Sequence, residues 1–191
     1  MKRNLQTYLQ HHYGEEGEGL FQRQQALYKE CLAQIGDKTE NQRKTMTNTI
    51  LPRVALYKTL REKGLCAEES KDTVKDFMQF ELAPFARTIR RMDRVLPFFF
   101  GLFRKLFLTG LRSDNWTTQI IQTQGDTFAF DIVNCLWYDT CSAYGCPELC
   151  TVFCDGDHYL YDDLSRTNFE RTKTIATGDG RCDFRFIKRS K

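Results

Sequence analysis

Apolar positions recur every three or four residues through the first half of the chain and then switch to alternation, and that change of period sets the predicted order of elements. Leu20, Phe21, Ala26, Leu27, Cys31, Leu32 and Ile35 lie close to helical spacing and end at Gly36, a common helix stop. Met46, Ile50, Leu51, Val54, Ala55, Tyr57 and Leu60 give a second helix over 38–63, which Pro52 kinks or restarts. Ser70 is the predicted cap of a third helix, with Asp72 in its first turn, where the helix dipole favours an anion. Pro84 predicts a fresh start for the run Phe85, Ile89, Met92 and Leu96, and Pro97 opens a phenylalanine-rich helix.

From Trp116 the residues become β-branched. The runs 116–123 and 127–133, separated by Gly125-Asp126, read as a hairpin. Two helices follow, over 135–145 and 147–161, joined at Gly145-Cys146-Pro147. Strands return at 168–176 and 182–188 around Gly178-Asp179-Gly180, which is too short for a phosphate loop and fits a hairpin turn. The predicted fold is α+β in one domain, 1–191. A mostly helical half, 1–112, packs on a small four-stranded antiparallel sheet, with a helix pair inserted between two hairpins in 113–191.

Composition narrows the partners. The chain has 28 Lys+Arg against 25 Asp+Glu, a formal charge of +3 with both signs interspersed, so charge gives no reason to expect nucleic acid. The longest apolar run, 95–108, is shorter than the roughly 20 residues of a bilayer span and is interrupted by Arg104 and Lys105. It reads as a buried amphipathic helix, favoured over a membrane-surface helix or a pocket lining. Fifteen phenylalanines point to an aromatic core or pocket. The first dozen residues lack the apolar run of a secretory signal, so the expected location is cytoplasmic and the eight cysteines are expected as thiols, ligands or nucleophiles. A small carboxylated molecule is the expected partner. Neither nucleic acid nor membrane is expected, and a homo-oligomer is left open.

Six of the eight cysteines fall in the final third. Cys146, Cys150 and Cys154 are spaced to share one side of a helix, while Cys135 lies at a strand–helix junction and Cys182 opens the last strand. No Cys-x2-Cys knuckle is present, so the metal signal is modest, and a free cysteine also packs as a small buried hydrophobe. That packing role is preferred for Cys31, Cys66, Cys141 and Cys146, and weighs evenly with chemistry for Cys135, Cys150, Cys154 and Cys182. No cofactor is required. A divalent metal, zinc or manganese, is the one to consider, with Cys135, Glu148, Cys150 and Cys154 as candidate ligands. Around Cys154, Asp157 or His158 would sit one helical turn away, where an imidazole lowers a thiol's pKa and carboxylates raise it. A solvated helix face is the competing reading of Asp155 and Asp157. Arg171 and Lys173 alternate with Thr172 and Thr174 along the predicted strand. An inward Arg171 would hold a carboxylate with its planar fork, whereas a surface Arg171 paired to Glu170 or Asp183 would be structural.

The run 48–57, Asn-Thr-Ile-Leu-Pro-Arg-Val-Ala-Leu-Tyr, the pair Cys154 and Asp157, and Arg171-Thr172-Lys173-Thr174-Ile175-Ala176 with Gly178, leading to Cys182-Asp183-Phe184-Arg185-Phe186, resemble the L-2-amino-thiazoline-4-carboxylic acid hydrolase family. The resemblance runs from about residue 40 to the end, and the layout is also similar to 4-vinyl reductase-like ligand-binding domains. It implies a hydrolase that adds water at the amidine carbon of a carboxylated heterocycle and cleaves a C–S bond to give N-carbamoyl-L-cysteine or a similar product. On the matching positions the expected catalytic residues are Cys154 as nucleophile or ligand, Asp157 as acid/base and Cys182 as second thiol. Arg171, Thr172, Asn48 and Tyr57 are the expected substrate contacts. The alternative is a non-catalytic module that senses a small ligand or metal with the cysteine cluster.

Overall fold

The computed structural model of the protein describes residues 4–189. Its chain begins with a helix that the periodicity did not announce. α1 (Leu5–Tyr13) is capped by the Asn4 side chain, which accepts from the Thr7 amide at 2.9 Å, and it buries Tyr8 and Leu9. α2 (Glu16–Ala33) turns back along it. A Cβ placed on Gly17 would lie 2.5 Å from the Leu9 carbonyl oxygen and 2.6 Å from the Gln10 Cα, and neither backbone atom can swing aside. Gly17→Ala is therefore expected to pry α1 from α2 and to cost about 2 kcal/mol, read as a lowered urea midpoint at unchanged slope.

α3 (Glu40–Thr45) runs through a π-helical turn, Met46–Ile50, into α4 (Leu51–Glu62). The wide turn delivers Pro52 to the first turn of α4, where its missing N–H costs nothing, so the proline starts a segment rather than breaking one. α5 (Ala67–Val95) departs from expectation twice. Its cap is Cys66, whose sulfur accepts from the Glu69 amide while the Glu69 carboxylate accepts from the Cys66 amide, a reciprocal box that leaves Ser70 buried inside the helix. Pro84 does not restart it. The helix continues through the proline because its buried face is held on both sides, by Val74, Phe77 and Met78 before and by Ala86 and Ile89 after.

α6 (Phe99–Gly110) is the phenylalanine-rich helix, and its rings are core. Phe103 meets Phe186 at 4.9 Å between ring centroids and Phe107 meets Phe130 at 5.5 Å, so the helix is laid against the sheet. That sheet has the order β1 (Trp116–Gln122), β2 (Thr127–Cys135), β4 (Cys182–Lys188), β3 (Thr167–Glu170), antiparallel throughout. Phe128, Phe130, Phe169, Phe184 and Phe186 share one buried cluster with α6. Asp131, Arg181 and Arg185 pair among themselves through Asp131.

Between β2 and β3 come α7 (Leu136–Ala143), a single 3-10 turn at Pro147–Leu149, and α8 (Cys150–Tyr161). Cys146 lies ahead of that turn, so only Cys150 and Cys154 of the three spaced thiols ride on α8. α8 lies closely along α5: a Cβ on Gly156 would come 2.8 Å from the terminal methyl of Met78. The strand expected over 168–176 stops at Glu170. Asp183 draws the Thr172 and Lys173 amides at 2.8 and 2.6 Å and the Thr172 hydroxyl at 2.8 Å, which folds the chain into a loop before it can extend the ladder. Gly178 (φ 92°) and Gly180 (φ 71°) take left-handed conformations in this loop, and Asp179 accepts from the Thr174 amide and the Thr177 hydroxyl across it.

Candidate active site on α8

Helical spacing puts Cys150, Cys154, Asp157 and Tyr161 on one stripe of α8, and the loop after β3 brings Arg171 to that stripe. The Arg171 guanidinium donates through Nη1 to Asp157 at 2.5 Å and through Nη2 to the Cys154 carbonyl at 2.8 Å. Its side chain is 2% exposed and lies against two rings, with its guanidinium carbon 5.2 Å from the Phe184 centroid and 5.9 Å from that of Phe169. Nε is buried without a hydrogen-bond partner among the described residues. Both terminal nitrogens of the fork are thus spent inside the protein, on a carboxylate and a helix carbonyl.

Burial pushes the Asp157 carboxyl up to about 6, against the opposing pull of Arg171 and, to a smaller degree, His158. Its side chain nevertheless keeps 32% of its surface open, and this wet flank limits how far desolvation can act, so the carboxylate is ionised at neutral pH. Tyr161, close enough for Asp157 to disfavour its phenolate, has its hydroxyl held well above the usual range, chiefly by burial. His158 turns away to Asp162, 3.1 Å from Nδ1.

Cys154 is half-buried next to this pair, and Cys182 is buried behind it. The Cys182 sulfur accepts from the Ile175 amide at 3.3 Å, and burial pushes its thiol up to about 12, with the neighbouring sulfurs of Cys154 and Cys135 adding to the rise. Cys182 therefore stays protonated at neutral pH, a thiol rather than a thiolate. The Cys150 thiol interacts with those of Cys135, Cys141 and Cys154 and so occupies the hub of the group with its own sulfur. Among the described residues no set of three or more His, Cys, Asp and Glu side chains is arranged to hold a metal ion. Of the four expected ligands, Glu148 is directed elsewhere: it accepts from the Tyr57 hydroxyl at 2.6 Å.

Among the described residues the other expected substrate contacts make their hydrogen bonds to groups other than Asp157. Tyr57 is buried with Glu148 toward the Cys146 end of the thiol group. Asn48 is exposed on the π-helical turn, and its carbonyl accepts from Arg53 at 3.4 Å. Thr172 is exposed in the loop, bound to Asp183. The residue pattern also passed over two carboxylates, one half-buried and one fully buried. Glu81 on α5 pairs with Arg53 at 2.5 Å, and Arg53 also donates to the Thr49 carbonyl at 2.7 Å, clamping the π-helical turn to α5. Burial raises the Glu81 carboxyl and lowers the Arg53 guanidinium. The only available hint was a charge in the apolar run around Pro52. Asp93, fully buried, accepts from the Ser165 and Arg166 amides and the Thr167 hydroxyl, and nothing in the local pattern distinguished it.

Fold and site together define an α+β protein whose helix-borne carboxylate, poised by an arginine, sits beside a group of thiols. Residues 42–186 match the family model of L-2-amino-thiazoline-4-carboxylic acid hydrolase, and the chain belongs to that family, which bears a hydrolase's name. No curated protein and no solved structure matches the chain. Among the described residues no helix is long and apolar enough to cross a membrane.

Proposed function

We propose that the protein hydrolyses a small carboxylated heterocycle, adding water at an amidine-type carbon and opening the ring at its C–S bond, with Asp157 as the acid/base. The observation that carries this reading is the Asp157 carboxyl, raised to about 6 and partly open to solvent, on the helix stripe that also bears half-buried Cys154. A group titrating just below neutrality is matched to taking a proton from water and returning it to a leaving atom. In the first step the ionised carboxylate removes one proton as the water oxygen bonds to the amidine carbon and the C=N π pair passes to the ring nitrogen, which takes the other water proton when the carbonyl forms. In the second the carbon–sulfur bond breaks and the proton passes to sulfur, so that one substrate and one water become one thiol product. Cys154 is assigned a place at the reacting carbon, as nucleophile or as a wall of the site. Arg171, with both terminal nitrogens engaged, is assigned to hold Asp157 in place rather than to bind the substrate's carboxylate.

Incubation of the purified protein with L-2-aminothiazoline-4-carboxylate, followed by a thiol reagent, tests the reading. Thiol release is expected, with kcat/KM rising as pH increases through about 6, because the base must be ionised in the free enzyme. Absence of release across pH 5 to 9, with or without added zinc or manganese, removes this substrate. Tight binding without turnover would favour the ligand-sensing alternative.

A further inference from the structure

Sequence alone gives Cys141 and Cys146 a packing role, yet the end of α7 sets them together in a specific way. The helix stops at Gly145, φ 71°, with the Cys146 amide donating to the Cys141 carbonyl at 2.9 Å and the Gly145 amide donating to the Ser142 carbonyl at 3.0 Å. This pair of bonds is a Schellman stop, a geometry that brings the side chains of its two outer residues into contact, ordinarily as an apolar pair. Here both are cysteines, 0% and 1% exposed, and each thiol acts directly on the other. From α8 the Cys150 thiol interacts with that of Cys141 and also with that of Cys135, which is partly open to solvent. Neighbouring thiols thus connect Cys135, the one of the four that is not fully buried, through Cys150 to the buried pair.

We propose that Cys141 and Cys146 are a reversible dithiol–disulfide site, oxidised by a hydroperoxide that enters at Cys135 and is relayed inward through Cys150. The peroxide transfers one oxygen to the Cys135 thiol, giving a sulfenic acid and releasing water or an alcohol. Cys150 attacks that sulfur and a second water leaves, forming a Cys135–Cys150 disulfide. Cys141 then attacks the Cys150 sulfur, and Cys135 takes up the proton and returns to the thiol. Cys146 attacks Cys141 in turn and frees Cys150. In sum, two thiol hydrogens and one hydroperoxide become one disulfide, one water and one further water or alcohol. The proposal does not rest on the hydrolase reading, since none of these four residues takes part in it.

The full-length reduced protein is treated with hydrogen peroxide under native conditions, then unfolded, alkylated and mapped by mass spectrometry. The peptide spanning Cys141 to Cys146 is expected to lose about 2 Da, to escape alkylation at both cysteines and to regain both thiols with dithiothreitol. Cys146→Ser is expected to halt the relay at a disulfide involving Cys150. Should that variant fail to fold, Cys135→Ser, at a position that is not fully buried, is expected to slow formation of the same product. Oxidation confined to Cys66, Cys135 or Cys154, with Cys141 and Cys146 both alkylated, overturns the proposal. So does an unchanged rate in Cys135→Ser, for the entry point.

Discussion

Asp157→Asn is expected to lower kcat about a thousandfold on the substrate that wild type turns over, the middle of the range for loss of a positioned acid/base. The amide is nearly isosteric and still accepts from Arg171, so the Cys154 carbonyl contact and the ring packing around the guanidinium are retained. What disappears is the capacity to take and return a proton. KM is therefore expected to change little, and the rising limb of the kcat/KM profile near pH 6 is expected to vanish. Stability provides an independent readout. The folded carboxyl titrates at about 6, above the unfolded value of about 3.9, so between those two pH values the folded state binds the extra proton. Its contribution is fully present below the unfolded pKa and is lost as pH rises through the folded one. Urea titrations of Asp157→Asn should lack this decline between pH 4 and 6. A variant with normal kcat at every pH would remove Asp157 from the chemistry.

Arg171→Met is expected to have the second large effect, about 3 kcal/mol of lost stability, because removing one partner of a buried pair strands the other. The lower end of the usual range applies, since the Asp157 side chain is partly solvated. The loss also includes the bond to the Cys154 carbonyl. Its functional signature separates positioning from substrate binding. Without the guanidinium the Asp157 carboxyl rises further, so the kcat/KM limb should shift to higher pH and kcat at neutral pH should fall. Arg171→Lys keeps the charge, but a single ammonium cannot reproduce the fork that spans Asp157 and the Cys154 carbonyl, so rescue should be partial. A rise in KM alone, with the limb unmoved, would instead make Arg171 a direct contact for the substrate's carboxylate.

The elements whose periodicity is long were legible from the residues. α2, the phenylalanine-rich α6, the first hairpin and the helix pair after it all follow from apolar spacing and from glycines at their ends. Local rules misled where a distant residue outweighed them. Pro84 would end an isolated helix, but α5 carries buried residues on both sides of it and stays continuous. Thr172, Lys173 and Thr174 alternate as a strand should, yet Asp183 satisfies the backbone of that segment from β4 and turns it into a loop. α1 is too short to show a period, and its cap, Asn4, is an unremarkable residue in sequence.

By itself the sequence determined the class of fold, the order of its parts and the segments that carry reactive groups, because helix and strand periods are properties of neighbouring residues. It also placed Cys154 and Asp157 one turn apart, since that spacing is fixed within a single helix. Only the tertiary structure decided that Arg171 is spent on Asp157, that Glu148 belongs to Tyr57, and that the Cys150 sulfur fills the centre of the thiol group. Each of those facts depends on which surfaces meet when helices, loop and sheet pack. Burial, which raises the carboxyl of Asp157 and the thiol of Cys182, exists only after they have met.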